Sequence, residues 1–94
     1  MKLLPKHIKN KLPKLGEQEP DIILYIKYFT PWTNWTWYVA EFDGSDIFFG
    51  FVIGFEAELG YFSLSELESI TGPYGLKIER DTSFTPTFLK DIEK

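Results

Sequence analysis

WTNWTWYVAEFDGSDIFFGFVIGFEAELGYF, residues 32–62, holds all three tryptophans and six of the nine phenylalanines of a 94-residue chain. Its large side chains are β-branched or aromatic, in short runs broken by Asp43-Gly44-Ser45-Asp46 and by Gly54. That is the composition of strands joined by tight turns. Strands are expected over residues 34–43 and 46–54, with another before them over 22–30 and a shorter one after them over 59–62. Asp43-Gly44-Ser45-Asp46 reads as a two-residue hairpin with Gly44 at positive φ. This register sets Phe42 against Ile47, Ala40 against Phe49 and Tyr38 against Phe51. Closing Thr30 onto Asn34 across Pro31-Trp32-Thr33 places Tyr28, Ile26, Leu24 and Ile22 beside Thr36, Tyr38, Ala40 and Phe42. One face is then almost wholly apolar and is expected to be the core. The other carries Tyr25, Lys27, Phe29, Trp35, Trp37 and Phe48, with rings lying over Gly50 and Gly54.

Outward from the sheet, Leu4, Ile8 and Leu12 recur every four residues among lysines, with Pro5 suited to a first helical turn and Pro13 to a stop. Residues 15–21 form a linker into the first strand. On the far side, Ser63-Leu64-Ser65-Glu66 has the form of a capping box, with Phe62 stapled against Leu67. Thr71-Gly72-Pro73 ends that helix, and residues 76–80 offer an edge strand. Thr85-Pro86 has the chemistry of a last helix start, with Phe88, Leu89 and Ile92 as its apolar stripe. The expected fold is α+β: an antiparallel meander of about four strands with short N-terminal, middle and C-terminal helices, in one domain spanning 1–94.

A chain of this length buries only about 60–65 % of its unfolded surface, so each aromatic ring counts toward the core. There is no cysteine and a single histidine, which excludes a disulfide framework and a zinc site of the usual nitrogen and sulfur ligands. No cofactor is implied. The chain lacks a secretion signal and an apolar run long enough to span a membrane, so a cytoplasmic location is expected. The net charge is -4, yet Lys2, Lys6, Lys9, Lys11 and Lys14 precede every acid and all fourteen acids begin at Glu17. A short helix with a solvated lysine face gives this pattern, and so does a basic arm for an acidic partner.

Catalytic chemistry finds few candidates. His7 has the right ordinary pKa for proton transfer but sits among lysines on a terminal helix, where exposure is expected. Ser63 and Ser65 are better explained as caps than as nucleophiles. Glu41, Asp43 and Asp46 would gather at one sheet end, and such oxygens can hold magnesium or act as an acid–base pair. Asp flanking Gly44 is also ordinary turn chemistry.

Asn34-Trp35-Thr36-Trp37-Tyr38, Glu41-Phe42-Asp43-Gly44, Phe49-Gly50, residues 58–64, Ile78-Glu79-Arg80-Asp81 and Phe84-Thr85-Pro86-Thr87 resemble, in order, the bacterial Domain of Unknown Function 2958 family. The resemblance spans nearly the whole chain. It implies a small standalone protein of the kind encoded on plasmids, phages and other mobile elements, and it supplies no catalytic residue. The leading expectation is a non-enzymatic protein-binding module, monomer or homodimer, that uses the aromatic face of Tyr25, Lys27, Phe29, Trp35, Trp37 and Phe48. Single-stranded nucleic acid is the first alternative. Rings would stack bases for about 1–3 kcal/mol each while Lys2, Lys6, Lys9 and Lys11 track phosphates, although the estimated pI near 4.9 opposes it. A small metal-dependent hydrolase on Glu41, Asp43 and Asp46 is the second.

Overall fold

A computed structural model describes residues 1–93 of the chain. Pro5 opens a single helical turn, α1 (Lys6–Lys9), which is shorter than the spacing of Leu4, Ile8 and Leu12 predicts. Two strand segments follow, β1 (Ile23–Leu24) and β2 (Ile26–Phe29). The aromatic run then forms β3 (Thr36–Phe42), β4 (Ile47–Ile53) and β5 (Ala57–Ser63). After these come α2 (Leu64–Ser69), β6 (Glu79–Arg80), β7 (Thr87–Phe88) and α3 (Leu89–Glu93). The main sheet is antiparallel in the order β5-β4-β3-β2-β6, and β1 and β7 make a separate two-stranded pair. This is the α+β meander the sequence pattern predicts, with β6 as the added edge strand.

Both central hairpins are one residue longer than expected, and the cause is side-chain chemistry in the turns. The N–H of Thr30 donates to the carbonyl of Trp35 at 3.1 Å, so residues 31–34 make the turn. Tyr28 therefore faces Trp37, not Thr36. In the next turn a single oxygen of Asp43 accepts the N–H groups of Ser45, Asp46 and Ile47 at 2.8, 2.8 and 3.0 Å. This organises a three-residue loop with Gly44 at φ 93°, and Phe42 faces Phe48 instead of Ile47. A bulge at Ala40 takes up the extra residue, so Tyr38 still faces Phe51 as expected.

A one-residue slip turns every side chain of a strand to the other face. Tyr28 and Ile26 accordingly join Trp37, Val39, Phe42 and Phe48 in the main core. The face expected to lie open is thus the more deeply covered one. Its cover consists of Leu3 and Leu4, with Ile8 and Leu12 beside them, and of Leu67 from α2 and Ile78. The Tyr28 hydroxyl donates to the Leu3 carbonyl at 2.7 Å and pins the N-terminal segment there; burial pushes that phenol's pKa up.

The opposite face holds a smaller cluster of Leu24, Tyr38, Ala40, Phe51 and Leu89, flanked by Ile22, Phe84 and Ile92. Leu24 and Ile26 belong to different clusters, so the chain kinks at Tyr25 and residues 22–30 are not one strand. The cap of α2 is as expected: Ser63 Oγ accepts the Glu66 N–H at 3.1 Å. The last helix differs. Thr87 and Phe88 pair with Leu24 and Ile23, which delays the helix from Thr85-Pro86 to Leu89.

Candidate binding surface

The six residues expected to share an open face do not share one. Trp37 is 8 % exposed and Phe48 is fully buried, both in the main core. Tyr25 and Trp35 pack partly against that core, and the Trp35 ring lies on Gly54, where a Cβ would collide with it. Lys27 and Phe29 point to the other side of β2, where Lys27 approaches Asp81 at 4.0 Å and the Tyr38 ring at 6.0 Å. The physical reason is the register: the four-residue turn at 31–34 puts Tyr28 where Phe29 was expected.

The three carboxylates expected at one sheet end each serve a separate backbone segment. Glu41 is buried, and its two oxygens accept the N–H groups of Gly16 at 2.7 Å and Gln18 at 2.8 Å. The Gln18 amide in turn bonds the Ile23 backbone and the Ala40 carbonyl, satisfying groups that the bulge and the kink leave over. Asp43 holds its own turn. Asp46 accepts the Ser65 N–H and hydroxyl at 2.8 and 2.7 Å. Among the described residues no group of three or more His, Asp or Glu is placed to hold a metal ion. His7 and Lys2, Lys6, Lys9 and Lys11 are exposed.

Asp43 also fixes a pH response. Its three backbone hydrogen bonds hold the carboxyl below the usual carboxylate range, because each bond favours the charged form. A depressed folded pKa contributes stability above the unfolded value and loses it as pH falls through the folded one. Asp81, held low by the Ser83 N–H and hydroxyl, acts in the same direction. Stability should therefore be flat near neutrality and fall only in the acid range, and Asp43→Asn should flatten that limb. Urea unfolding midpoints across the acid range check it; an unchanged slope in Asp43→Asn would refute the assignment.

The apolar surface left open lies elsewhere. On β4 and β5, Ile47, Phe49, Phe51 and Ile53 alternate onto the same side as Leu59 and Tyr61. The Phe49 and Tyr61 rings are 5.1 Å apart. Phe84, Leu89 and Ile92 join Leu24, Tyr38, Ala40 and Phe51 in one cluster, so Phe51 is buried, Phe49 and Ile53 are half-buried, and only the outer margin of the strip is bare. Tyr61 is 70 % exposed and Leu59 44 %. In the β4–β5 turn, Phe55 is 95 % exposed and meets Trp35, on the main-core side, edge-on at 5.5 Å. Glu56 is exposed in the β4–β5 turn, and Glu58, paired with Val52, is exposed on the reverse side of β5. The sequence signal for this surface is the period-two pair Leu59 and Tyr61, followed downstream by only one short apolar helix to cover it.

Among the described residues no helix is long and apolar enough to cross a membrane. No solved structure and no curated protein gives a significant match. The family model described as a protein of unknown function, DUF2958, matches residues 2–90, and the chain belongs to that family.

Proposed function

We propose that this chain is a non-enzymatic accessory protein of the mobile-element type, whose partner is a protein held on the open strip of β4 and β5. The observation that carries the reading is the unequal covering of the sheet. One face is closed by three segments of the chain, while the other leaves Ile47, Leu59 and Tyr61 at the surface, with Phe49 half-buried beside them. Contiguous apolar patches with a polar rim mark interaction sites in soluble proteins. With Glu56 at its end and Glu58 on the reverse side of the same edge strand, the strip favours a partner that presents an apolar centre with basic side chains at its border.

Aromatic anchors on such surfaces are often worth about 2 kcal/mol or more, roughly thirtyfold in affinity. Leu59→Ser and Tyr61→Ser should each weaken capture of a cellular partner by about that factor. Both side chains project to solvent, so melting midpoints should shift by only a few degrees. Equal capture by wild type and the double variant would defeat the reading. Nucleic acid is the weaker alternative, since Lys2 to Lys11 belong to the segment covering the main core, whereas Phe49 and Tyr61 lie on the other side of the sheet. Quenching of tryptophan fluorescence by an oligonucleotide, with steep loss of affinity in salt, would restore it.

A further inference from the structure

We propose that β5 pairs antiparallel with β5 of a second copy about a two-fold axis at Gly60, joining two five-stranded sheets into one. Such pairing goes beyond the protein-binding reading: it seats Leu59 and Tyr61 side by side along the seam, with their outward faces still on the joined strip.

The two edges of the sheet are unlike. Natural edges are blunted by short strands, lysines, prolines or bulges. The β6 edge is two residues long, and its Arg80 N–H is taken by the Met1 sulfur at 3.1 Å. The β5 edge is seven residues long, in unbroken register with β4, and contains no lysine, proline or bulge; Glu58 is its one charged side chain.

Its free hydrogen-bonding groups can be assigned. The Gly54 N–H donates to the Glu56 carbonyl and the Leu64 N–H to the Asp46 carbonyl, both at 2.9 Å, one at each end of the β4–β5 ladder. Residues in an antiparallel pair exchange bonds alternately. Glu58, Gly60 and Phe62 therefore bond to β4, and Ala57, Leu59, Tyr61 and Ser63 direct N–H and C=O outward.

Gly60 supplies the axis. A Cβ there would meet nothing within 4 Å, and its φ lies outside the left-handed region. Nothing inside the chain asks for glycine, and close approach of another backbone is one of the uses of a glycine within a strand. With Gly60 opposite the partner's Gly60, Leu59 faces the partner's Tyr61 and Ala57 the partner's Ser63, so all the outward groups meet in hydrogen-bonded pairs. Glu58 falls opposite the partner's Phe62, and no acid opposes an acid. The two open strips become continuous.

The contact is small. Seven residues make an edge about 24 Å long, and side-chain layers of about 5 Å on each face, half the spacing of stacked sheets, give about 240 Å2 per copy. The pair covers about 480 Å2, well below the size of stable interfaces, so the pairing is weak and reversible and is carried by main-chain hydrogen bonds.

Sedimentation of the whole chain should show a mass rising from 11.0 kDa toward twice that value with concentration. The chain has no native cysteine, so Gly60→Cys reports on the axis. A non-hydrogen-bonded pair brings Cα atoms to about 4.5 Å, within the disulfide range of about 4.4–6.8 Å, and Gly60→Cys should form covalent dimers on mild oxidation. Tyr61→Cys, two positions out of step with itself, should do so much more slowly. Leu59→Pro loses no bond to β4 and should stay monomeric; Leu59→Lys makes the same test if the proline variant fails to fold. Monomer mass for wild type up to about 1 mM, or equal cross-linking rates at positions 60 and 61, would overturn the proposal.

Discussion

Gly50→Ala is expected to prevent folding, or to lower the thermal midpoint by about 15–30 °C, the equivalent of about 4 kcal/mol in a domain this small. Gly50 sits in the centre of β4, paired to Val39 on one side and Gly60 on the other. A Cβ there would fall onto the Tyr38 carbonyl oxygen, with the Tyr38 carbonyl carbon at 2.9 Å and the Val39 Cα at 3.2 Å. All three are backbone atoms of β3, so no side-chain rotation relieves the clash. Relief requires β3 and β4 to separate, and every other strand of the sheet is built outward from that pair. Gly60→Ala, on the same ladder but facing open space, should change stability by less than about 1 kcal/mol. Circular dichroism melts of the two variants give the comparison; similar melts would show that the close approach at Gly50 is not a constraint.

Trp37→Ala is expected to cost about 3–5 kcal/mol, the range for emptying a large aromatic site in a core. Trp37 is buried between strand neighbours and the N-terminal cover, with the Trp35 ring 5.9 Å away. The surrounding side chains sit on paired strands and cannot collapse far, so the cavity persists. Urea unfolding measures the loss directly. A variant that stays fully stable would place Trp37 back on an accessible surface, where the sequence pattern had put it.

That difference between pattern and structure has a specific origin. The strands were legible because Trp35, Trp37, Val39, Phe48, Phe51 and Val52 are poor choices for anything else, and the α2 start was legible because Ser63 and Glu66 stand at capping distance. The faces were not legible, because a face depends on parity and parity depends on turn length. Opposite Thr30, residues 33–35 offer Thr33, Asn34 and Trp35 as alternative closing points, and nothing in their types picks Trp35. At the next turn, the three-residue loop exists because one Asp43 oxygen gathers three N–H groups, a property of geometry rather than residue type. The kink at Tyr25 is hidden for another reason: Leu24, Tyr25 and Ile26 are all apolar, so no alternation breaks there. The open strip escaped notice because Leu59 and Tyr61 were placed on a short closing strand, and the distance the five-residue α3 can cover is not written in its sequence.

The segment before β2 has a consequence in time. Leu3 and Leu4 close one side of the sheet, and Ile22 and Leu24 pack on the other, with Gly16 and Gln18 tied to Glu41 between them. These residues leave the ribosome ahead of every strand of the meander, yet each of their docking sites is built from residues synthesised later. The first stretch made must therefore be among the last to settle, and a growing chain carries it as a loose strap until the β3–β4 hairpin exists to receive it.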